Sequence, residues 1–135
     1  MTGPYLLDAN IFIAALREHP AVLRRMAETS TDHFRLSAVV LGELEFGAEK
    51  SAYGERNRKR LAEMVLTIPF VGLDRDSVHN YAQLRAFLDR QGTPIGANDM
   101  WIAAQALSIG ATLVTDNERE FRRVPDLKVE NWLRD

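Results

Sequence analysis

The sequence predicts an α/β fold in which helices cover both faces of a central parallel sheet. Two segments, Tyr5–Leu7 and residues 111–115, are continuous apolar runs, as is typical of parallel strands that are buried on both faces. The predicted strands alternate along the chain with helical patterns, which favours right-handed βαβ crossovers. We therefore expect three layers, with the sheet between two layers of helices.

The N-terminal half supplies the first two predicted strands. After the first strand a helix is expected to end near His19, and Pro20 suits the first turn of a second helix. Residues 34–38 are the second predicted strand, and a helix over residues 39–51 follows at once. A charged helix over residues 54–66 is expected to turn its basic side chains outward.

The middle of the chain is predicted to be a short strand followed by a long helix. Residues 69–73 form the third predicted strand, Asp76 is expected to cap the helix, and Gly92 is expected to end it. Apolar side chains at helical spacing predict the buried stripe of this helix, namely Val78, Tyr81, Ala82 and Leu88.

The C-terminal part contains the most apolar helix. A Pro/Gly loop leads into residues 98–109, whose composition implies burial against the sheet, and Gly110 ends this helix. After the strand at residues 111–115, a short helix is predicted over residues 117–122, and an edge strand at residues 128–129.

Length and composition indicate a single domain over residues 1–135, with 46% hydrophobic residues. No segment reaches the ~18 to 20 apolar residues of a membrane span and no signal peptide is evident, so a cytoplasmic protein is expected. The absence of cysteine excludes disulfides and thiolate zinc sites. A net charge of −2 gives no global cationic field, although a nuclease that holds cations with carboxylates can be acidic.

Two acidic residues end the two apolar strands. Asp8 follows the first strand, and Asp116 follows the strand at residues 111–115. If these strands are neighbours, both acids lie at the carboxyl edge of the sheet, where open α/β sheets bind ligands. Taken alone, Asp8 is more simply interpreted as a helix cap than as a ligand of a divalent cation.

Two further acids lie on helices. Glu43 falls on the apolar arc of its helix, close to Phe46, so a positive group must compensate its burial. A salt bridge to Lys50 is one candidate. Asp99 stands at the start of the most apolar helix, where an N-cap is the simpler interpretation of a single Asp.

The acids are more informative as a set than singly. Asp8, Glu43, Asp99 and Asp116 cannot all ionise side by side without a cation, because like charges raise each other's pKa. One or two Mg²⁺ or Mn²⁺ ions would resolve this conflict, since oxygen ligands and the absence of cysteine select hard metals. We therefore predict that these four residues are the ligands of the metal.

Four short motifs accompany the acids along nearly the whole chain. They are Leu-Asp-Ala-Asn at residues 7–10, Leu-Gly-Glu-Leu-Glu-Phe-Gly-Ala-Glu-Lys-Ser at residues 41–51, Gly-Thr-Pro-Ile-Gly-Ala-Asn-Asp at residues 92–99, and Val-Thr-Asp-Asn-Glu-Arg-Glu-Phe at residues 114–121. In this order and spacing they resemble the PIN-domain ribonucleases, and within them the VapC toxins of bacterial toxin–antitoxin pairs.

The resemblance implies a PIN-like fold, a homodimer, and a metal-dependent endoribonuclease that acts as a toxin by hydrolysing phosphodiester bonds. The acidic quartet of the family falls on the four acids named above, Asn10 and Thr115 match polar supporting positions, and Glu120 falls where many members have Asp. A VapB-type antitoxin with a basic side chain in the acidic pocket is implied as the partner. Gly-Thr-Pro and Arg-Glu-Phe are similar to members that cut initiator tRNA in its anticodon loop.

Other interpretations stay open at this point. The charged helix carries four basic residues, Arg56, Arg58, Lys59 and Arg60. We interpret them mainly as a solvent-exposed helix face and secondarily as residues that contact RNA phosphates. Phosphatases of the haloacid dehalogenase type need a second Asp two residues after the first, where this chain has Asn10. A receiver needs a Lys beyond a late strand, which is missing here. A metal- or RNA-binding module without catalysis is the non-enzymatic alternative.

Overall fold

A computed structural model describes residues 3–134, in which five strands form one sheet flanked by seven α-helices. The strands are β1 (Tyr5–Leu7), β2 (Phe34–Ser37), β3 (Phe70–Val71), β4 (Thr112–Val114) and β5 (Val129–Glu130). The helices are α1 (Ala9–Leu16), α2 (Pro20–Glu28), α3 (Ala38–Lys50), α4 (Gly54–Val65), α5 (Arg75–Gln91), α6 (Ala97–Ile109) and α7 (Glu118–Phe121). None of the helices described in this range is long and apolar enough to cross a membrane.

The sheet is parallel throughout, in the order β3-β2-β1-β4-β5. β1 lies at its centre, where Tyr5 pairs with Phe34 of β2 and Leu7 pairs with Val114 of β4. Every side chain of β1 and β4 is buried. Because successive side chains of a strand point to opposite faces, both faces of the sheet are covered, and the predicted α/β architecture is confirmed.

Two local predictions about α5 are wrong. Its cap is Asp74 rather than Asp76: the Asp74 carboxylate accepts from the Ser77 N–H at 2.9 Å, and the Ser77 hydroxyl oxygen accepts from the Asp74 N–H at 2.8 Å. This reciprocal pair is a capping box, which satisfies N–H groups that the first turn leaves free. The buried stripe is wrong in part: Leu88 is buried as predicted, but Val78 is 50% exposed, and Leu84, which was not predicted, is buried.

Trp132 fills a central position in the core that the sequence did not indicate. It is the largest fully buried side chain, and its ring centroid lies 5.1 Å from that of Tyr5 in β1 and 5.9 Å from that of Phe34 in β2. Its indole N–H donates to the Glu130 carboxylate at 3.0 Å, so the polar end of the ring is also satisfied. The segment after β5 is therefore part of the support of the central strands.

Removing the Trp132 ring should strongly destabilise the protein. Truncation of a fully buried aromatic side chain to Ala typically costs about 3 to 5 kcal/mol, because apolar burial is lost and a cavity remains. We expect Trp132→Ala to lower the free energy of unfolding by that amount in urea titrations, and Trp132→Phe to lower it less. Leu66→Ala, at a side chain that is 81% exposed, is the control and should change it by less than about 0.5 kcal/mol. Equal losses at both positions would contradict this assignment.

Candidate active site

Asp8 lies at the carboxyl end of the central strand and serves two structural purposes. Its Oδ1 accepts from the Ala9 N–H at 2.8 Å and caps α1, as the simpler interpretation of the sequence expected. Its Oδ2 accepts from the Thr115 hydroxyl at 2.7 Å and from the Asn10 amide at 3.4 Å. The side chain is almost completely buried, so these donors hold the carboxylate in one orientation.

Asn10 and Thr115, the predicted supporting residues, join the ends of β1 and β4. The Asn10 amide oxygen accepts from the Asp116 N–H at 3.0 Å, and the Asn10 amide nitrogen donates to the Thr115 oxygen at 3.4 Å. The Thr115 oxygen also accepts from the Asn117 N–H at 3.0 Å. Together these bonds fix the loop after β4 against Asp8.

Asp116 follows β4 at the same edge of the sheet as Asp8, as the sequence predicted, because β1 and β4 are parallel neighbours. Its side chain, however, is exposed, and its Oδ1 accepts from the Asn131 amide at 3.1 Å. The hydrogen bond to Asn131 therefore orients the carboxylate of Asp116, and its predicted role as a metal ligand stays a prediction.

Asp99 and Glu120 form a pair of carboxyl groups. Gly96 is the N-cap residue of α6 and Asp99 is the third residue of the helix, so the N-cap interpretation of Asp99 is wrong. The two carboxyl groups hydrogen-bond each other. Glu120 is held by the Gly96 N–H and by the Asn117 amide, each at 2.7 Å. The sequence suggested Glu120 only through the family resemblance, and gave no signal for Asn117.

Glu43 on α3 is half-buried, and the Asn98 amide donates a hydrogen bond to it. Its Oε1 is buried and has no hydrogen-bond partner among the described residues. The alternative of a salt bridge to Lys50 does not hold, because the Lys50 ammonium lies over the ring of Phe46 instead. The arc of α3 around Phe46 and Gly47 is exposed rather than packed in the core, so Glu43 faces an open groove.

Mutual repulsion marks Asp8, Glu43, Asp99 and Glu120 as one group, which we term the acidic cluster. Burial raises the pKa of Asp8 and of Glu43, and the charge of Asp8 raises that of Glu43 further. Burial, followed by the charges of the other three acids, raises the pKa of Asp99 to about 7. The pKa of Glu120 is lowered by its hydrogen bonds from Asn117 and Gly96. Asp99 is therefore the proton donor in its bond to Glu120.

The acidic cluster has the donor atoms that suit a hard divalent cation. All its donor atoms are oxygens, and the Glu43 Oε1, which no described residue hydrogen-bonds, is available to coordinate. Between residues 3 and 134, no three acidic or histidine side chains lie close enough together to hold a metal ion as they stand. A cation that offsets the repulsion would have to draw the carboxylates together, and with that adjustment the residues fit Mg²⁺ or Mn²⁺.

The four basic residues of α4 are exposed, as predicted, but two of them have structural partners. Arg58 pairs with Glu49 at 2.5 Å, and the Arg60 guanidinium donates to the carbonyl oxygen of Leu16 at 2.5 Å. Arg60 also lines a cavity of about 320 Å³ together with Glu43. Contact between RNA and Arg56, Arg58, Lys59 or Arg60 stays a prediction.

Comparison with protein families identifies the class of this domain. Residues 5–127 match the family described as PIN domain, and they include β1, β4 and the whole acidic cluster. The fold and this match together define the protein as a PIN domain.

Individual relatives narrow the assignment. The "tRNA(fMet)-specific endonuclease VapC" of Shigella flexneri is 39% identical over 128 residues, which cover 95% of this chain and 97% of the relative. "Ribonuclease VapC2" of Rickettsia felis is 36% identical over 132 residues, with the same coverage. The DNA-bound VapBC structure from Salmonella typhimurium superposes with a TM-score of 0.90 at 32% identity, covering 97% of this chain and 99% of that one. The chain belongs to the PIN-domain family and, within it, to the VapC ribonucleases.

The acidic cluster should make the metal-free protein less stable as the pH rises. The pKa of Asp99 is about 7 in the folded state against an ordinary 3.8, so folding favours its protonated form. That contribution is fully present below about pH 4 and is lost as the pH rises through about 7. In EDTA, the melting temperature of Asp99→Asn should therefore exceed that of the wild type by a margin that grows from about pH 4 to about pH 7 and changes little above about pH 7.

Asp116→Asn is the matched control for this measurement, because it neutralises an exposed carboxylate just outside the acidic cluster. Its melting temperature should follow that of the wild type across the same pH range. The electrostatic account of the acidic cluster would be contradicted if the difference in melting temperature between Asp99→Asn and the wild type did not change with pH. It would also be contradicted if the difference grew equally for Asp116→Asn.

Proposed function

We propose that this protein is a metal-dependent endoribonuclease, the toxin of a toxin–antitoxin pair, whose acidic cluster holds one or two Mg²⁺ or Mn²⁺ ions. The observation that carries the proposal is the convergence of Asp8, Glu43, Asp99 and Glu120 at the carboxyl edge of β1 and β4, where three of the four have raised pKa values. The names of the relatives, which are ribonucleases and tRNA endonucleases, support the same reaction class.

The residues of the chain have distinct tasks in this proposal. Hydrogen bonds from the Thr115 hydroxyl and the Ala9 N–H orient the two oxygens of Asp8. Hydrogen bonds from the Gly96 N–H and the Asn117 amide orient those of Glu120. A bound divalent ion would lower the pKa of a water molecule and stabilise charge on the leaving oxygen. The proton shared by Asp99 and Glu120 must leave before both can ligate, so ion binding releases a proton there.

Substrate and partner follow from the relatives by analogy. Because relatives from Shigella flexneri and Salmonella typhimurium are named for tRNA(fMet), we propose initiator tRNA as the substrate, cut in its anticodon loop. Because structural neighbours are VapBC toxin–antitoxin complexes, we propose a VapB-type antitoxin as the partner of a cytoplasmic homodimer. The exposed cations Arg56 and Lys59 are available for RNA phosphates.

Neutralising a central carboxylate should abolish cleavage and leave the fold intact. We expect Asp8→Asn and Asp99→Asn each to slow cleavage of initiator tRNA with Mg²⁺ or Mn²⁺ at least about 100-fold, because a hard anionic ligand is lost. Asp89→Asn, an exposed acid of α5, is the control and should cleave normally. A wild type that binds RNA but leaves it intact with either metal would instead favour the non-catalytic module.

Glu120 and Asp116 compete for the position of the fourth acid. Since Glu120 interacts with the acidic cluster and Asp116 bonds to Asn131, we expect Glu120→Gln to weaken Mn²⁺ binding at least about tenfold and Asp116→Asn to change it less than about twofold. Isothermal titration calorimetry measures both affinities. The reverse order would return the fourth ligand to Asp116, as the family quartet implies.

The antitoxin should recognise the acidic cluster by charge. If an Arg or Lys of the antitoxin enters the cluster, its charge-assisted hydrogen bonds depend on ionised carboxylates. We therefore expect the Asp8→Asn, Asp99→Asn double variant to bind the antitoxin more weakly than the wild type, and Mn²⁺ to compete with the antitoxin only for the wild type. Equal affinities without metal competition, measured by calorimetry, would place the inhibitory contact away from the acidic cluster.

A further inference from the structure

Phe46 is a large apolar side chain that lies open beside the acidic cluster. It follows Glu43 by three residues on α3, so the two side chains are neighbours on the helix surface. The Phe46 side chain is 63% exposed. Both residues line a groove of about 400 Å³ together with Asn98 of α6. An aromatic face is thus available within the same groove as one of the acids.

The residues around Phe46 leave room for a flat group to approach its ring. Gly42 precedes it by one helical turn and Gly47 follows it, and a Cβ added at either glycine would meet no atom within 4 Å. The ammonium of Lys50, one turn further along α3, lies 5.2 Å from the ring centroid. Among residues 3–134, Lys50 has no carboxylate within ion-pair distance. Its charge is therefore available to a ligand of the groove.

A ring and a cation next to a group of carboxylates suit a single strand of RNA. Carboxylates repel phosphates, so groups beside the acidic cluster must hold the strand on either side of the bond that is cut. Aromatic side chains stack on unpaired bases without requiring a particular sequence, and lysine pairs with phosphate. We propose that Phe46 stacks on an unpaired base flanking the scissile phosphate, while Lys50 pairs with a neighbouring phosphate.

This inference rests on the proposed ribonuclease activity and adds a base-contacting residue to it. Exposure alone does not single out Phe46, because Phe70 is 59% exposed. Phe70, however, lies on the edge strand β3, which β2 separates from β1 and from Asp8. Phe46, in contrast, lines a groove together with Glu43, and the Lys50 ammonium lies over its ring. Phe70 is therefore a matched control of the same residue type and similar exposure.

Cleavage of initiator tRNA by variants of the full chain tests the contribution of the ring. We expect Phe46→Leu to lower kcat/KM at least about fivefold, since stacking on a base is worth about 1 to 3 kcal/mol. Phe46→Tyr keeps an aromatic face and should remain within about twofold of the wild type, and so should Phe70→Leu. Lys50→Gln should weaken the salt dependence of RNA binding, by a slope of about 0.7 for one phosphate contact.

A modified RNA separates stacking from a general effect on the groove. After the cleavage position has been mapped with the wild type, substrates are made that lack the base on either side of it. Removal of the stacked base should slow the wild type at least about fivefold and should not slow Phe46→Leu further, because the partner of the base is already absent. Circular dichroism and melting temperatures establish that the variants are folded.

The possible outcomes distinguish the two proposals. A wild type that does not cut RNA overturns the proposed function. A wild type that cuts, together with a Phe46→Leu variant that cuts equally well, overturns only the stacking inference. The stacking inference is also overturned if the loss of cleavage rate caused by Phe46→Leu adds fully to the loss caused by removing a base, whichever side of the cleavage position that base is on. Unchanged cleavage by Phe46→Leu with at least about fivefold weaker binding of the purified antitoxin would assign the exposed ring to protein docking instead.

Discussion

Crowding of like charges at the carboxyl edge of the central strand is the constraint on which this structure depends. The parallel pairing of β1 with β4 brings Asp8 and the loop after β4 together, and α3 and α6 add Glu43 and Asp99. Burial and the charges of the neighbouring acids raise the pKa of Asp99 to about 7, whereas the hydrogen bonds of Glu120 from Asn117 and Gly96 lower its pKa. Perturbed pKa values of this kind cluster at functional sites, in agreement with the ribonuclease class of the relatives.

The polar residues around the acidic cluster determine how its carboxylate groups are oriented. Thr115, Asn10 and Asn117 are neutral, yet they determine where the oxygens of Asp8 and Glu120 point, and they connect the two strand ends through one chain of hydrogen bonds. Such a network resists reorientation when a cation or a phosphate approaches. The oxygens of Asp8 and Glu120 thus accept several hydrogen bonds, in contrast with the Glu43 Oε1, which has no hydrogen-bond partner within residues 3–134.

Sequence patterns were sufficient for the sheet and insufficient for the direction of single side chains. Two apolar runs that end on acids predict the edge shared by Asp8 and Asp116, because strand burial depends on composition over several residues. The orientation of Asp116 involves Asn131, and that of Glu120 involves Asn117, and neither asparagine stands in a distinguishing sequence pattern. The exchange of Asp74 for Asp76 as a cap has a similar origin, since both acids lie at the start of the same helix and the reciprocal hydrogen bonds with Ser77 select Asp74.

The position of Trp132 bears on when activity can arise during synthesis. Among the strands of residues 3–134, β1 comes first in the sequence and lies at the centre of the sheet, but its partner β4 and the aromatic ring packed on Tyr5 come from the end of the described chain. A nascent chain without these segments cannot complete the core or set Asp8 against Thr115. The orientation of Asp8 can therefore be completed only late in the synthesis of the described chain, after β4 and Trp132 have been added.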